Sequence, residues 1–266
     1  LINNIFNYIV LSFFNIIWWK TYFKMNNKFI EVVIVAAART PIGTYKGSLK
    51  NIKADQLGSI VIKEVIKRAN ITSEDIDEVI LGQVLTAGTG QNPARQASIN
   101  AGLSKSIPAH LVNQVCGSGL RSIISGFQTI KLNEAKFIIS GGQENMSISP
   151  HAIYYRNDKK LLEDRLIDTM IYDGLVDAFN NYHMGVTAEN IAAKFKISRK
   201  EQDDFALNSQ KKTQLSLEQN KFKDELVSVN LNGSILNVDE HPRKNLKVED
   251  LGKLNTVFKE NGTVTP

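Results

Sequence analysis

The stretch AHLVNQVCGSGLRSIISGFQTIKLNEAKFIISGG, residues 109–142, contains one complete strand–helix–strand unit. Residues 109–115 predict a strand, and the small residues of 117–119 open a helix with apolar residues at helical spacing. Those apolar residues share one helix face and are Leu120, Ile123, Ile124, Phe127 and Ile130. Residues 136–142 then predict another strand. This order is typical of an α/β fold, a parallel or mixed sheet covered by helices.

The sequence before this unit repeats the alternation of strand and helix. Residues 30–38, IEVVIVAAA, are a continuous apolar run that predicts a strand buried on both faces. Residues 54–69 predict a helix and 78–85 a strand. Pro93 stands where a further helix begins, because proline is well tolerated at the first helical position. Four strands are therefore predicted before residue 146.

After residue 146 the sequence becomes more polar. Residues 186–196 and 199–217 predict helices. Residues 225–232 and 234–239 predict a β-hairpin around Asn232-Gly233, since this dipeptide is the strongest short hairpin signal.

Composition limits the classes of protein. The chain has 266 residues, of which 42% are hydrophobic and 22% charged, so it can bury a large core in one or two domains. A single cysteine rules out an intramolecular disulfide and favours a reducing, intracellular setting. The formal net charge of +5 fits an anionic ligand. No basic run is interleaved with aromatics, so we expect no nucleic-acid binding.

Residues 1–24 form a hydrophobic leader that differs from the rest of the chain. Residues 1–19 carry no charge and are long enough to span a bilayer, but several Asn residues dilute them. The leader lacks the basic region and cleavage site of a signal peptide. We interpret Met25 as the true start and the leader as not native, and expect no membrane association. A membrane anchor is the alternative.

Cys116 stands at the predicted strand-to-helix junction. A lone cysteine is most often a small buried hydrophobic residue. However, this junction lies at the carboxyl edge of the sheet, where open α/β folds bind ligands. A helix N-terminus also stabilises a thiolate. The residues alone therefore leave two interpretations, a buried structural cysteine and an activated nucleophile.

Several motifs carry a family resemblance. VNQVCGSGLRSI (112–123) and GGQENMSISP (141–150) resemble the two thiolase signatures, with Asn145 in place of the usual Ser. Further blocks that match are AAARTPIG (36–43), ILGQVLTAGTGQNPARQA (80–97), YHMGVTAENIA (182–192) and EQDDFALNSQ (201–210). The chain thus resembles the thiolase family over residues 29–265. A ketoacyl synthase relative is disfavoured by the GQNPARQA and HMG blocks.

The resemblance implies a thiolase-like fold. Residues 29–145 would be the first β-α-β-α-β-α-β-β half of a layered sandwich, and residues 146–266 a truncated loop domain that covers coenzyme A. Cys116 would be the nucleophile that takes an acyl group from a coenzyme A thioester, with its own backbone N–H as one oxyanion donor. The resemblance implies no metal and no covalently bound cofactor.

The resemblance also implies coenzyme A contacts. His183 and Met184 match a pair that contacts the pantetheine region in the branch specific for acetoacetyl-CoA. Leu175 and Phe258 match apolar lining positions, and Arg243 matches a basic residue near the adenine nucleotide. The residues alone leave alternatives open: a surface histidine, plain core residues, and an arginine on a solvated face.

The resemblance implies an acetyl-CoA C-acetyltransferase, which reversibly condenses two acetyl-CoA to acetoacetyl-CoA and CoA. The alternatives are a 3-ketoacyl-CoA thiolase of fatty-acid β-oxidation and a non-catalytic, truncated CoA-binding protein. We expect a cytoplasmic homo-oligomer, a dimer or tetramer. The family's activating His and second Cys would lie beyond residue 266, so we expect no turnover from a purified 1–266 chain.

Overall fold

Three parallel strands form the central sheet of the computed structural model, which describes residues 31–156 and 166–266. The strands are β1 (Glu78–Gly82), β2 (Ala109–Val112) and β3 (Ile138–Gly142), in the order β2-β1-β3. Val79 pairs with Ala109 on one side and with Ile139 on the other. All three strands therefore end at the same edge of the sheet, which we call the carboxyl edge.

Three helices alternate with the three strands along the chain, as the sequence predicts, and the first helix precedes β1. They are α1 (Ala54–Ala69), α2 (Pro93–Asn100) and α3 (Ser118–Lys131). The side chain of Asn92 accepts a hydrogen bond from the Arg95 N–H and caps α2. A 3₁₀ turn, Ser73–Asp75, leads into β1. These boundaries confirm the predicted helices and the fold class, a mixed α/β structure with a parallel sheet.

The core lies between the sheet, α1 and α2. Val79 and Leu81 of β1 point into it because alternate residues of a strand share one face. Burying each such side chain contributes about 1.5–3 kcal/mol. The buried members of this cluster are Ile62, Ile76, Val79, Leu81, Ala94, Ala97, Leu103 and Ile107.

Helix α3 packs on the opposite face of the sheet through small residues. Ser118, Ser122 and Gly126 are its buried positions. A Cβ at Gly126 would lie 2.6 Å from the Ser140 Oγ, so only glycine permits this approach of helix and strand. The apolar face that the sequence predicts points away from the sheet, and Leu120 and Phe127 are 65% and 46% exposed. Exposed apolar faces are often association surfaces in other proteins.

Residues 31–38 form no strand, so the strand predicted over 30–38 is wrong for these residues. Ile34 is 80% exposed. A continuous apolar run forms a buried strand only where a neighbouring strand and two covering layers meet it. The ordered pairing begins at Arg39, which forms an isolated bridge with Leu226.

The more polar part of the chain adds short elements and two long helices. Its hairpin confirms the prediction around Asn232-Gly233, although the strands are shorter than predicted: Val229 pairs with Leu236. The elements are the 3₁₀ turn Met146–Ile148, β4 (His151–Ala152), β5 (Ile167–Asp168), α4 (Thr169–Gly174), α5 (Met184–Phe195), α6 (Arg199–Glu218), β6 (Val229–Asn230), β7 (Ile235–Leu236) and α7 (Val248–Gly252).

An arginine ties the beginning of the described chain to this hairpin region. The Arg39 guanidinium donates two hydrogen bonds to the Asp239 carboxylate, at 2.7 and 2.9 Å, and one to Glu225. The hydrogen bond to Asp239 is the main reason why the pKa of Arg39 is raised. This pairing is bidentate, the strongest geometry for an arginine and a carboxylate.

Residues 34–266 form one compact unit. The predicted boundary between residues 145 and 146 stays a prediction. The leader, residues 1–24, and the start at Met25 lie outside the described residues. Within the described part of the chain, none of the helices has the length and apolar character needed to cross a membrane.

Candidate active site

Cys116 lies exposed at the junction between β2 and α3. Gly117 is the N-cap of α3, so the thiol is one residue from the helix N-terminus. Val115, directly before it, has a φ of 48°, a left-handed conformation that a β-branched residue adopts at a cost in strain. Such strain is commonly found at functional sites, where the surrounding structure enforces it.

Two small residues hold this junction in place. The buried Ser118 hydroxyl accepts a hydrogen bond from the Gln114 N–H and donates one to the Val115 carbonyl oxygen. Gly82, the last residue of β1, lies against the beginning of α3: a Cβ there would be 2.4 Å from the Ser118 carbonyl carbon. The strained turn that presents Cys116 is therefore fixed from both sides.

A cavity of about 420 Å³ opens at Cys116, which we call the cysteine cavity. Its walls come from the ends of β1 and β3, from the turn that carries Cys116, and from α4. They are mostly apolar. The lining residues are Gly82, Gln83, Val84, Leu85, Val115, Cys116, Ser118, Gly119, Gly142, Gln143, Glu144, Met146, Met170, Gly174 and Leu175. Leu175, predicted from the resemblance, thus shares the cavity with Cys116.

The predicted residues around the beginning of α5 lie together. The Met184 N–H donates to the Leu175 carbonyl oxygen at 2.8 Å. His183 is the N-cap of α5, and its ring stacks on Phe258 with centroids 5.0 Å apart. The His183 Nδ1 accepts from the Gly185 N–H, which places the proton of a neutral imidazole on Nε2. Four of the predicted residues therefore form one cluster that adjoins the cysteine cavity through Leu175.

Arg243 lies elsewhere. It is exposed, and its backbone N–H donates to the Gln210 side chain of α6. It lines neither the cysteine cavity nor the His183–Phe258 stack. The predicted contact of Arg243 with the adenine nucleotide stays a prediction.

Glu144 is a site residue that the sequence reasoning missed. Its Oε2 accepts hydrogen bonds from the N–H groups of Val84 and Leu85, at 2.9 and 3.2 Å. Burial raises the pKa of the Glu144 carboxyl, although these hydrogen bonds act in the opposite direction. Its position in the motif GGQENMSISP, directly after an apolar strand, is the signal by which it could have been found.

Asn145, the departure from the thiolase signature, has a structural role. Its side-chain amide donates to the carbonyl oxygens of Leu49 and Ile52, at 2.9 and 2.6 Å. Its side-chain oxygen accepts from the Ser147 N–H. A serine has a single hydroxyl proton and could not make both donated bonds.

The chemistry that this arrangement permits follows from an exposed thiol in an apolar cavity beside a helix N-terminus. A helix N-terminus favours a thiolate, which is the nucleophilic form of cysteine. The open cavity leaves room for an acyl group on the sulfur. Within the residues that the structure describes, no three His, Cys, Asp or Glu side chains are grouped to hold a metal ion.

Comparison with known proteins gives one consistent result. Residues 32–266 match the family described as the N-terminal domain of thiolase. The chain is 47% identical over 239 residues to an acetyl-CoA acetyltransferase of Paracoccus denitrificans. It is 48% identical over 240 residues to a probable acetyl-CoA acetyltransferase of Escherichia coli. It is 45% identical over 241 residues to a probable acetyl-CoA acyltransferase of Staphylococcus aureus.

These three alignments each cover 88% of this chain and 61% of the relative. The chain therefore spans about three-fifths of the length of the relatives that it matches. The family match covers nearly all of the described residues and includes both the sheet and the cysteine junction. The chain belongs to the thiolase family.

Proposed function

We propose that the protein is an acetyl-CoA C-acetyltransferase in which Cys116 carries the acyl group. The Cys116 sulfur attacks the thioester carbonyl carbon of acetyl-CoA, a new carbon–sulfur bond forms, and the bond to the CoA sulfur breaks. CoA leaves as the thiol, with the proton given up by Cys116. A second acetyl-CoA loses a methyl proton, and the resulting carbanion attacks the acetyl carbonyl carbon. A carbon–carbon bond forms, the bond to the Cys116 sulfur breaks, and the Cys116 thiol regains a proton, which yields acetoacetyl-CoA.

The observation that carries this proposal is the position of the Cys116 thiol. It is exposed at the beginning of α3 and lines an apolar cavity whose wall includes Leu175. The names of the relatives, acetyl-CoA acetyltransferases, support the choice of a short acyl group.

Acyl transfer to the cysteine is a half-reaction, and it can be measured without turnover. The purified chain is incubated with acetyl-, butyryl- or octanoyl-CoA, and the acyl group retained after denaturation is counted. We expect the highest rate for acetyl-CoA. A rate that rises with chain length would favour a 3-ketoacyl-CoA thiolase of fatty-acid β-oxidation. If the chain binds CoA but retains no acyl group, a non-catalytic CoA-binding protein would be favoured.

The stacked pair His183 and Phe258 supports a place for the pantetheine arm. His183 directly precedes Met184 at the beginning of α5, and the Met184 N–H donates to the carbonyl oxygen of Leu175, which lines the cysteine cavity. We assign coenzyme A contact to the stacked pair, to Met184 and to Leu175. Arg243, exposed beside α6, is proposed as a partner for the CoA phosphates.

The exposed apolar face of α3 supports an association with a further protein layer. Leu120, Ile123, Ile124 and Phe127 are each at least 40% exposed along this face. We propose that the protein is a homo-oligomer, a dimer or tetramer, and that residues 29–145 are one half of a layered sandwich with a loop domain at 146–266. Light scattering of the purified chain tests the first part. A cytoplasmic location stays a prediction.

A further inference from the structure

Beyond the proposed role of Cys116, on which this inference rests, we propose that Glu144 is a positioning residue of the cysteine cavity. One carboxylate oxygen fixes the backbone that forms a wall of the cavity. The other binds ordered water in a chamber behind that wall.

The first part follows from two carboxylates, one at each edge of the sheet, that connect the chain segments around β1 and β3. Each carboxylate accepts hydrogen bonds from two consecutive backbone N–H groups, an arrangement that we call a tie. At the amino edge, the Asp77 Oδ2 accepts from the N–H groups of Lys136 and Phe137, at 2.6 and 2.9 Å. Asp77 directly precedes β1, and the two donor residues, Lys136 and Phe137, directly precede β3. At the carboxyl edge, Glu144 follows β3 and accepts from the two N–H groups that follow β1.

The two ties differ in what surrounds the carboxylate. Asp77 is exposed, whereas the Oε1 of Glu144 is buried and has no hydrogen-bond partner among the residues that the structure describes. The two residues that Glu144 holds, Val84 and Leu85, both line the cysteine cavity. Its carboxylate therefore determines the position of a wall of the candidate active site, and Asp77 holds no such wall.

A second, smaller cavity of about 160 Å³ lies against the same carboxyl group. We call it the rear chamber. Glu144, Gln83 and Leu85 line both cavities. Ser149 also lines the chamber, and its buried Oγ has no hydrogen-bond partner within residues 31–156 and 166–266. A buried polar atom with no partner destabilises the fold, and a cavity volume of about 10–15 Å³ is enough to hold one water molecule. Two such atoms in one chamber of this size point to ordered water that bonds to both.

The charge on Glu144 is costly to the fold. Besides Glu144, the charged or titratable groups that line the two cavities are Lys53, Asp55 and Cys116. Burial raises the pKa of Glu144 above its ordinary value of 4.5. A carboxyl with a raised pKa stabilises the fold most when it is protonated, below its unfolded pKa. This contribution is lost as the pH rises through the folded pKa. A carboxylate retained at such a cost is typical of a functional site.

The test compares alkylation of Cys116 in four variants. Glu144→Ala and Asp77→Ala each remove the acceptor of two backbone N–H groups, so both should lower the free energy of unfolding. We expect only Glu144→Ala to change the reaction of Cys116 with neutral iodoacetamide, making it at least about 3-fold faster because the wall opens locally. Glu144→Gln keeps one acceptor oxygen and should restore the wild-type rate.

The charge gives a second readout that a purely structural role would not move. Glu144→Gln should raise the ratio of the iodoacetate rate to the iodoacetamide rate by about 2- to 5-fold, because it removes a negative charge from the lining of the cavity that contains the thiol. Asp77→Asn should leave this ratio unchanged. If Glu144→Ala does not fold, this ratio in the two amide variants decides.

Equal alkylation rates and equal ratios in the Glu144 and Asp77 variants would overturn the positioning role. Failure of Glu144→Gln to restore the rate would also overturn it. These outcomes are distinct from a failure of the proposed function. In that case wild-type Cys116 would take up no acyl group from acetyl-CoA, whatever stands at position 144.

Discussion

The two edges of the three-stranded sheet use the same type of backbone tie in different surroundings. At the amino edge, Asp77 is exposed, and the nearby pair of His110 and Glu78 lies on the surface. At the carboxyl edge, a tie of the same type has one buried carboxylate oxygen, and the turn beside it carries a strained Val115 and the exposed Cys116. The strained backbone of Val115 and the buried oxygen of Glu144 thus lie at the edge where the strands end. This is the edge at which α/β folds bind ligands.

The largest expected effect at the carboxyl edge is that of Cys116→Ala. Cys116 is the single cysteine in the sequence, so this change removes the thiol. Covalent uptake of acetyl from acetyl-CoA should therefore fall by more than about 100-fold. Release of CoA thiol on mixing is the measurement. The matched control is Asp77→Asn at the amino edge, which should release CoA as the wild type does. If Cys116→Ala released as much CoA thiol as the wild type, the reactive group would not be the cysteine at the carboxyl edge.

Gly185→Ala should weaken coenzyme A binding at the His183–Phe258 stack. A Cβ at Gly185 would lie 2.1 Å from the Phe258 ring, so the ring must leave its stack on His183. We expect a loss of about 1–3 kcal/mol in unfolding free energy from this overpacking. The Kd for CoA, measured by titration calorimetry, should rise by about 5- to 10-fold, which corresponds to roughly 1–1.4 kcal/mol.

Gly252→Ala provides the control for that change, because no heavy atom of the described residues lies within 4 Å of a Cβ built there. It should leave both the unfolding free energy and the Kd for CoA close to the wild-type values. Similar effects of the two alanine substitutions on the Kd would show that the His183–Phe258 stack takes no part in binding.

Glu189 provides a carboxylate with the opposite pH behaviour from Glu144. Burial acts to raise its pKa, but hydrogen bonds from the N–H groups of Val264 and Thr263 outweigh burial, and the pKa is lowered. A lowered pKa contributes stability above the unfolded pKa of 4.5, and this is lost as the pH falls through the folded pKa.

The wild type should therefore lose more thermal stability than Glu189→Gln when the pH is lowered from 7 to 3. We expect a difference of about 2–4 °C in the fall of Tm, followed by circular dichroism. For Glu144→Gln the sign is reversed: its stability relative to the wild type should increase as the pH rises above 4.5. Parallel pH profiles for the two variants would contradict these assignments.

The smallest effect is expected at the amino edge. The His110 Nδ1 lies 3.1 Å from the Glu78 Oε1, and the His110 side chain is 48% exposed. An exposed pair of this kind contributes about 0–1 kcal/mol, so His110→Ala should change neither the urea midpoint nor the alkylation rate of Cys116 by much. A large change in the alkylation rate would show that the two edges are coupled.

Most of the fold could be predicted because its signals are local. Helix α1 and the hairpin at Asn232-Gly233 depend on periodicity and on turn residues that lie within a few positions of each other. The run at 30–38 misled the prediction, since a buried strand depends on neighbours that its own residues do not specify. The exposure of the apolar face of α3 also could not be predicted, because its small residues pack on the sheet instead.

The candidate site could be predicted in part. Family motifs indicated Cys116, Leu175, His183 and Phe258, and the structure brings the first two to one cavity and the last two into one stack. The motif GGQENMSISP could have indicated Glu144 as a site residue, but its hydrogen-bond partners could not be predicted from that motif. Its role depends on N–H groups 60 and 59 positions earlier in the chain, which only the parallel pairing of β1 and β3 brings to it.

Cys116 is the residue that we propose carries the acyl group. The most direct measurement is peptide mapping by mass spectrometry after the chain has been incubated with acetyl-CoA and denatured in acid. We expect the added mass of one acetyl group on the peptide that contains Cys116, and hydroxylamine at neutral pH should remove it. An unmodified Cys116 peptide, or acetyl groups found only on lysines, would contradict it.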